Sequence, residues 1–280
     1  MYKRYLYYYL GLFAIGLFGF LPAYAQHTPT VRYVDTARIS QQQKMKEKKP
    51  KPIEKEFSVG IRLNTDGWSL FAEKGWVKTE EKESDKFYNL RFAQIEFGEH
   101  KHPKEIKGSN RGPTYADKPR PYKFGKINNF YMLKLGYGNR KMIAGKPDPG
   151  TVSIHWVYAG GLSIGFLKPY YLDVYQSSGT QQIKYEDNPE YFAPVNPNDQ
   201  ARIIGRSSLL QGIGETKIIP GIQAKTALHF DFAVLRKRKL AIETGLSAEL
   251  YIKKMTLMAN VKANPYVLNG YISLQFGNRK

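Results

Sequence analysis

The chain contains no cysteine. It therefore carries no disulfide, no thiol nucleophile and no thiolate metal site, and a small disulfide-stapled secreted scaffold is excluded. Beyond its first 25 residues no stretch approaches 18 consecutive apolar residues, so the remainder holds no candidate helical membrane span. Negative charge is also scarce: 24 Asp and Glu stand against 43 Lys and Arg, a formal net charge of +19 in 280 residues. That excess points to anionic partners such as lipopolysaccharide phosphates, acidic glycans or an acidic protein.

The N-terminus explains where such partners would be met. Lys3 and Arg4 precede an uncharged, mostly apolar run from Tyr5 to Leu21, then Pro22, then Ala23-Tyr24-Ala25. A basic start, an apolar core and a small-x-small site make a secretory signal peptide, with cleavage expected after Ala25. An uncleaved anchor is the alternative. Loss of Lys3 and Arg4 leaves +17, and export makes nucleic acid an unsuitable partner. Residues 26–56 read as a disordered basic periplasmic linker: Lys44–Glu56 is KMKEKKPKPIEKE, interrupted by Pro50 and Pro52, and cannot bury enough apolar surface to fold.

From Phe57 onward the pattern has a period of two. Gly150–Leu167 shows it best: Val152, Ile154, Trp156, Tyr158, Leu162, Ile164 and Phe166 share one face, while Ser153, His155, Ser163 and small residues share the other. Alternation of this kind means a strand, and this one is long enough to cross a hydrocarbon layer while tilted. Similar runs start at Phe57, Trp68, Lys86, Phe130, Gly221, Leu240 and Tyr266. The phase of the second is unclear. In the third, Leu90 and Phe92 differ in parity from Ile95 and Phe97, which a β-bulge near Phe92-Ala93 would reconcile.

Eight strands can close on themselves, which a sheet in lipid must do to leave no unpaired edge. The fold class expected is all-β, an eight-stranded antiparallel up-and-down transmembrane β-barrel over residues 57–280. Its two long outer loops are Glu99–Asn129 and Lys168–Pro220, opposite short periplasmic turns. The polar faces carry Arg62, Arg91, Lys134, His155, Lys225, His229, Asp231, Glu243 and Glu249. In a barrel this narrow they form a side-chain plug, with each charge paired. A soluble lipocalin-like carrier, with the faces exchanged, is the competing all-β reading.

In these features the chain resembles the small outer-membrane β-barrel proteins of Gram-negative bacteria, in a basic, Tyr-rich style similar to barrels of the Bacteroidota. The resemblance rests on the signal peptide, the eight strands, the loop asymmetry and a last strand with Phe276 near its end. It implies an outer-membrane location, assembly through a C-terminal aromatic strand and a role in an envelope or export complex. Gly277-Asn278-Arg279-Lys280 after the Phe departs from that pattern.

The candidate contact residues lie in the first long loop, where eight basic residues outnumber Glu99, Glu105 and Asp117. Arg111, Lys118, Arg120, Lys123 and Lys126, interleaved with Tyr115, Tyr122 and Phe124, suit lipid phosphates or an acidic envelope protein. The second loop is Tyr-rich and long enough for structure of its own, with a short helix expected from Asn198 or Asp199 through Leu210 and a role as a cap or docking surface. Ser153 with His155 or His229 is the only pairing that suggests a lipid hydrolase, and no nucleophile-elbow motif accompanies it. His100 and His102 are two apart, without further ligands and among lysines. The reading is a non-enzymatic binding or assembly barrel, with no cofactor and no metal site.

Overall fold

The computed structural model describes residues 55–77, 89–108, 120–145, 151–192, 202–235 and 238–280. The expected signal peptide, most of the expected linker, and Arg111 and Lys118 lie outside them. Among the described residues thirteen strands occur in order: β1 (Lys55–Asn64), β2 (Gly67–Val77), β3 (Leu90–His100), β4 (Lys107–Gly108), β5 (Tyr122–Lys123), β6 (Asn128–Ala144), β7 (Val152–Pro169), β8 (Leu172–Gln176), β9 (Gly179–Ile183), β10 (Ile203–Arg206), β11 (Lys217–Leu235), β12 (Arg238–Met255) and β13 (Asn264–Arg279). Eight of them close into an antiparallel barrel in the order β1-β13-β12-β11-β7-β6-β3-β2. No helix among the described residues is long and apolar enough to cross a membrane.

The register fixes the shape. Val59 is partnered with Ala72, and the ladder continues through Ile95, Leu135, Leu162, Ile222, Leu250 and Tyr266. Val59 itself pairs with Phe276, so the circuit returns ten residues displaced along β13. A stagger of that size tilts the strands, typically by about 40° in small barrels. The resulting interior admits side chains and little else.

Side chains are sorted inside out relative to a soluble barrel. Phe57, Val59, Ile61, Leu63, Leu135, Leu162, Leu246 and Ile272 face outward and are exposed, whereas Ser58, Arg62, Glu96, Lys134 and Glu243 are buried within. The lipocalin-like reading, which needs the opposite sorting, is thereby excluded. Polar residues bound the apolar belt. On β3 the outward positions run Arg91, Ala93, Ile95, Phe97, Glu99; on β6 they run Asn129, Tyr131, Leu133, Leu135, Tyr137, Asn139, Lys141. Arg91 thus lies on the outer wall at the belt's edge rather than in the lumen. Trp68 marks the upper edge, where its indole N–H donates to Glu99 at 3.2 Å, and Trp76 and Trp156 mark the lower. From Arg91 to Glu99 the belt rises through eight residue steps on β3, about 20–25 Å after tilting, the height such barrels present to lipid.

Two sequence expectations change here. β3 has an unbroken register with both neighbours, so no bulge lies at Phe92-Ala93. Leu90 and Phe92 instead point inward, where they form an apolar cluster with Val157, Ala227 and Tyr271. β1 also starts at Lys55, so Glu56, assigned to the linker, belongs to the barrel.

The connections are unequal at the two rims. One rim carries 78–89, 145–151 and 236–237 together with both ends of the barrel chain. The other carries 65–66, 101–127, 170–216 and 256–263. Within the two longest, β8, β9 and β10 make a three-stranded sheet and β4 pairs with β5. Residues 203–206 are strand, not the helix expected up to Leu210; β-branched Ile203 and Ile204 favour the extended form. Gly205 sits at a register shift against β8 with φ of 152°, and a side chain there would run into the Arg120 backbone carbonyl.

Candidate functional site

The inward positions of the strands build two ionic clusters. In the middle of the lumen Glu243 accepts from Tyr271 at 2.8 Å, Lys225 at 3.2 Å and Gln275 at 3.2 Å; it lies 3.2 Å from His229 Nδ1 and 3.5 Å from Arg62. Arg62 also pairs with Glu96, which accepts from Ser69 at 2.8 Å and meets Lys134 at 2.8 Å. Lys134 reaches on to Glu249 at 3.0 Å. Toward the lower rim Glu56 binds Arg140 at 2.7 Å, Arg279 at 3.1 Å and Lys239. Arg140 also holds Glu73, and Arg279 holds Asp231.

Among the described residues the lumen therefore sets Glu56, Glu73, Glu96, Asp231, Glu243 and Glu249 against Arg62, Lys134, Arg140, Lys225, Lys239 and Arg279. Carboxylates and cations are equal in number, as burial requires when an unpaired charge costs several kcal/mol. Of the nine polar-face candidates from the sequence, all but Arg91 are buried inside, His155 and His229 included. The sequence reading missed Glu56, Glu73, Glu96, Arg140, Lys239 and Arg279. The two histidine rings lie edge to face with centroids 6.0 Å apart. Ser153 is buried on the same inner wall. None of the three faces the lipid side, where an ester substrate would lie, and the hydrolase reading loses its geometry.

Above the belt the inward positions become apolar. Phe130 and Met132 precede Lys134 on β6, and with Leu167, Ile219, Tyr251, Met255, Leu257, Met258 and Val267 they fill the outer mouth. The 256–263 connection is tucked against the first long loop: Ile127 N–H donates to Leu257 O at 2.9 Å, and Ala259 N–H to Gly125 O at 2.7 Å. On top sits a second apolar core of Tyr122, Tyr170, Leu172, Val174, Ile183, Tyr191, Phe192 and Ile203. The loops thus form a folded cap at the mouth.

The basic loop residues are partly used up in that cap. Lys126 is 0% exposed and donates to Glu105 at 2.6 Å. Lys123 joins the same carboxylate, and Arg120 pairs with Asp173. Burial pulls the Lys126 pKa down to about 8 despite Glu105. Burial opposes ionisation of Glu105 as well, but Lys126 and Lys123 outweigh it and hold the carboxyl below its usual range. Of the expected contact residues, Lys123 and Lys126 thus share Glu105 and Arg120 meets Asp173; these pairings join residues about twenty to fifty positions apart and are invisible in a local pattern. His102 Nδ1 accepts from the Lys104 N–H at 3.1 Å, and no group of three metal-ligating side chains occurs among the described residues.

No family model matches the chain, and no curated protein does. Among solved structures it is similar to Neisserial surface protein A, at 8% identity over 81% of this chain and 96% of that one, with a TM-score of 0.37. It is similar also to Ail, the attachment invasion locus protein of Yersinia pestis, at 8% identity over 82% and 99%, TM-score 0.35. The N-terminal β-barrel domain of Pseudomonas aeruginosa OprF follows at 8% over 81% and 96%, TM-score 0.30. Likeness at this level fixes no ligand and no activity.

Proposed function

We propose that the chain is exported, loses residues 1–25 and resides in a bacterial outer membrane as a non-enzymatic, non-conducting barrel whose capped outer face is a docking surface for envelope lipid or protein. The observation that carries this reading is the reversal of side-chain sorting along the strands. Apolar residues face outward and paired charges inward across a belt about 20–25 Å tall. Past its upper edge the interior turns apolar and the loops fold into a cap. A transport pore needs a continuous polar path, and the lumen here is filled by ion pairs below and by Phe130, Tyr251 and Met258 above.

The test combines topology with conductance. The purified chain should need detergent and migrate differently on gels before and after boiling. Protease added to intact cells should cut within 101–127 or 170–216 and spare 26–54. In planar bilayers the barrel should give no steady open-channel current. Cleavage confined to 26–54 would invert the orientation, and a stable large conductance would sink the sealed-lumen reading.

A further inference from the structure

At the outer mouth the ends of β3 and β12 and the 256–263 connection border a cavity of about 50 Å³. His100, His102, Met255 and Met258 line it, and exposed Lys262 and Asn264 lead from it to solvent. A water needs about 10–15 Å³ of such space, so the cavity has room for one ion and little solvent. His100 ends β3 and is 8% exposed, its ring edge to face with Phe130 at 6.1 Å. Its Nδ1 is buried and has no hydrogen-bond partner among the described residues. A buried ring nitrogen left in that state costs stability unless something binds it. Phe130 belongs to the same buried cluster as Met255 and Met258. One imidazole and two thioethers are therefore brought to one small space. His102 adds no further donor: its Nδ1 already accepts from the Lys104 N–H, so in the neutral ring the other nitrogen carries the proton.

The donor chemistry selects the ion. Among the described residues no three of His, Asp and Glu converge on one point, and no carboxylate lines this cavity. Calcium, magnesium and zinc are thereby left without a ligand set. Thioethers beside an imidazole suit Cu(I), which prefers soft donors. Its single charge also limits repulsion from Lys262, the one Lys or Arg in the lining. Lys126, bridged to Met258 through the backbone, has its ammonium engaged by Glu105. We infer that His100 Nδ1 and the Sδ atoms of Met255 and Met258 bind one Cu(I) ion, which ties the 256–263 connection to the end of β3.

The full chain, folded in detergent, can be titrated with Cu(I) against a chromophoric Cu(I) chelator, and with Ag(I) as a redox-inert probe of the same donors. Either ion should bind in a single equivalent. Ag(I) should move the methyl NMR signals of Met255 and Met258 and leave that of Met142 in place. Even the outer partners of a metal ligand are worth about tenfold or more in affinity. Met255→Leu and Met258→Leu, which keep the apolar volume, should therefore each weaken Cu(I) binding at least about tenfold. His100→Leu should do the same, whereas His102→Gln should bind as the unmodified chain does. The boiling-dependent gel shift checks that each variant still closes its barrel, and should His100→Leu fail to fold, the two methionine variants decide. Unchanged Cu(I) affinity in the double variant Met255→Leu/Met258→Leu overturns the proposal. So does displacement of Cu(I) by an equal concentration of Zn(II), or an Ag(I) titration that leaves both methyl signals unmoved.

Discussion

The lumen and the cap both bury their side chains, yet they are filled in opposite ways. Among the described residues the lumen holds six carboxylates and six cations, whereas the cap is packed with Tyr122, Tyr170, Leu172, Phe192 and Ile203. The difference follows from what lies outside each. A barrel wall in lipid gains nothing from apolar filling, because its apolar surface is already satisfied outward; its inward positions can be polar if every charge is paired. A cap in water must bury its own apolar surface to hold together. The chain changes rule within single strands, as β6 does between Met132 and Lys134.

The largest expected effect tests the lumen side. Glu243→Ala would leave Arg62 and Lys225 short of a partner and remove acceptors from Tyr271 and Gln275. Removing one member of a buried pair costs about 3–5 kcal/mol. Denaturant unfolding in lipid vesicles measures it, and a loss below about 1 kcal/mol would mean that the cluster is screened and the contrast with the cap is false.

The cap should respond locally. Phe192 is buried and its ring meets Tyr185 edge to face at 5.7 Å. Phe192→Ala should cost about 3 kcal/mol or more. Because the barrel closes through its own ladders, the loss should appear as faster proteolysis of 170–216, with the boiling-dependent gel shift retained. Simultaneous loss of that shift would show the two regions to be one cooperative unit.

The outer wall gives a graded third test. Leu135 lies midway between Asn129 and Lys141 on β6, and its neighbours are Ile95 and Leu162. Leu228, paired with Trp156, lies lower on the wall, with Phe230 and Phe232 below it on the outward row of β11. Leu135→Arg should cost about 2–4 kcal/mol and Leu228→Arg less, since the penalty falls toward the interface. Equal penalties would contradict the depth read from the polar boundaries.

How much of this was legible in the sequence depended on whether the signal was local. The eight strands were, with the outward faces of all but the second and third, because alternation is a local pattern. The ionic lumen was half legible. Arg62, Lys134, Lys225, Asp231, Glu243 and Glu249 sit in clean alternation, whereas Glu56 hides in the run KMKEKKPKPIEKE and Glu73 in a strand whose inward Phe71 blurs the phase. Arg140, Lys239 and Arg279 lie near strand ends that looked like turns or tail. Phe92 misled for a related reason: an inward aromatic reads as a change of face when a lumen is assumed to be wholly polar. A cap from the second long loop was expected, but its pairings were illegible, since Lys126 and Glu105 are 21 residues apart and Arg120 and Asp173 are 53 apart.

The smallest expected effect probes how dry the cap is. Lys126 is buried with its pKa pulled down to about 8, while unfolding would return it to its ordinary range near 10.5. Between those values the unfolded cap binds more protons, so cap stability should rise as pH goes from about 8 to 10.5. Lys123, whose pKa burial lowers but Glu105 raises on balance, opposes this only above its unfolded value. On the acid side the sign is the other way round. The Glu105 pKa is depressed in the fold, so its contribution is present above the unfolded value and lost as pH falls through the folded one. The alkaline gain should be about 2 kcal/mol at most, read as slower proteolysis of 101–127 near pH 10 than near pH 8 after correction for protease activity. Lys126→Met removes the titrating group while keeping an apolar stem, and should flatten that limb while leaving the acid limb. A wild-type profile already flat from pH 8 to 10.5 would mean that Lys126 is hydrated in the native cap. The cap would then be filled by the same rule as the lumen, with charge tolerated because it is paired, and the change of rule at Met132 would belong to the barrel mouth alone.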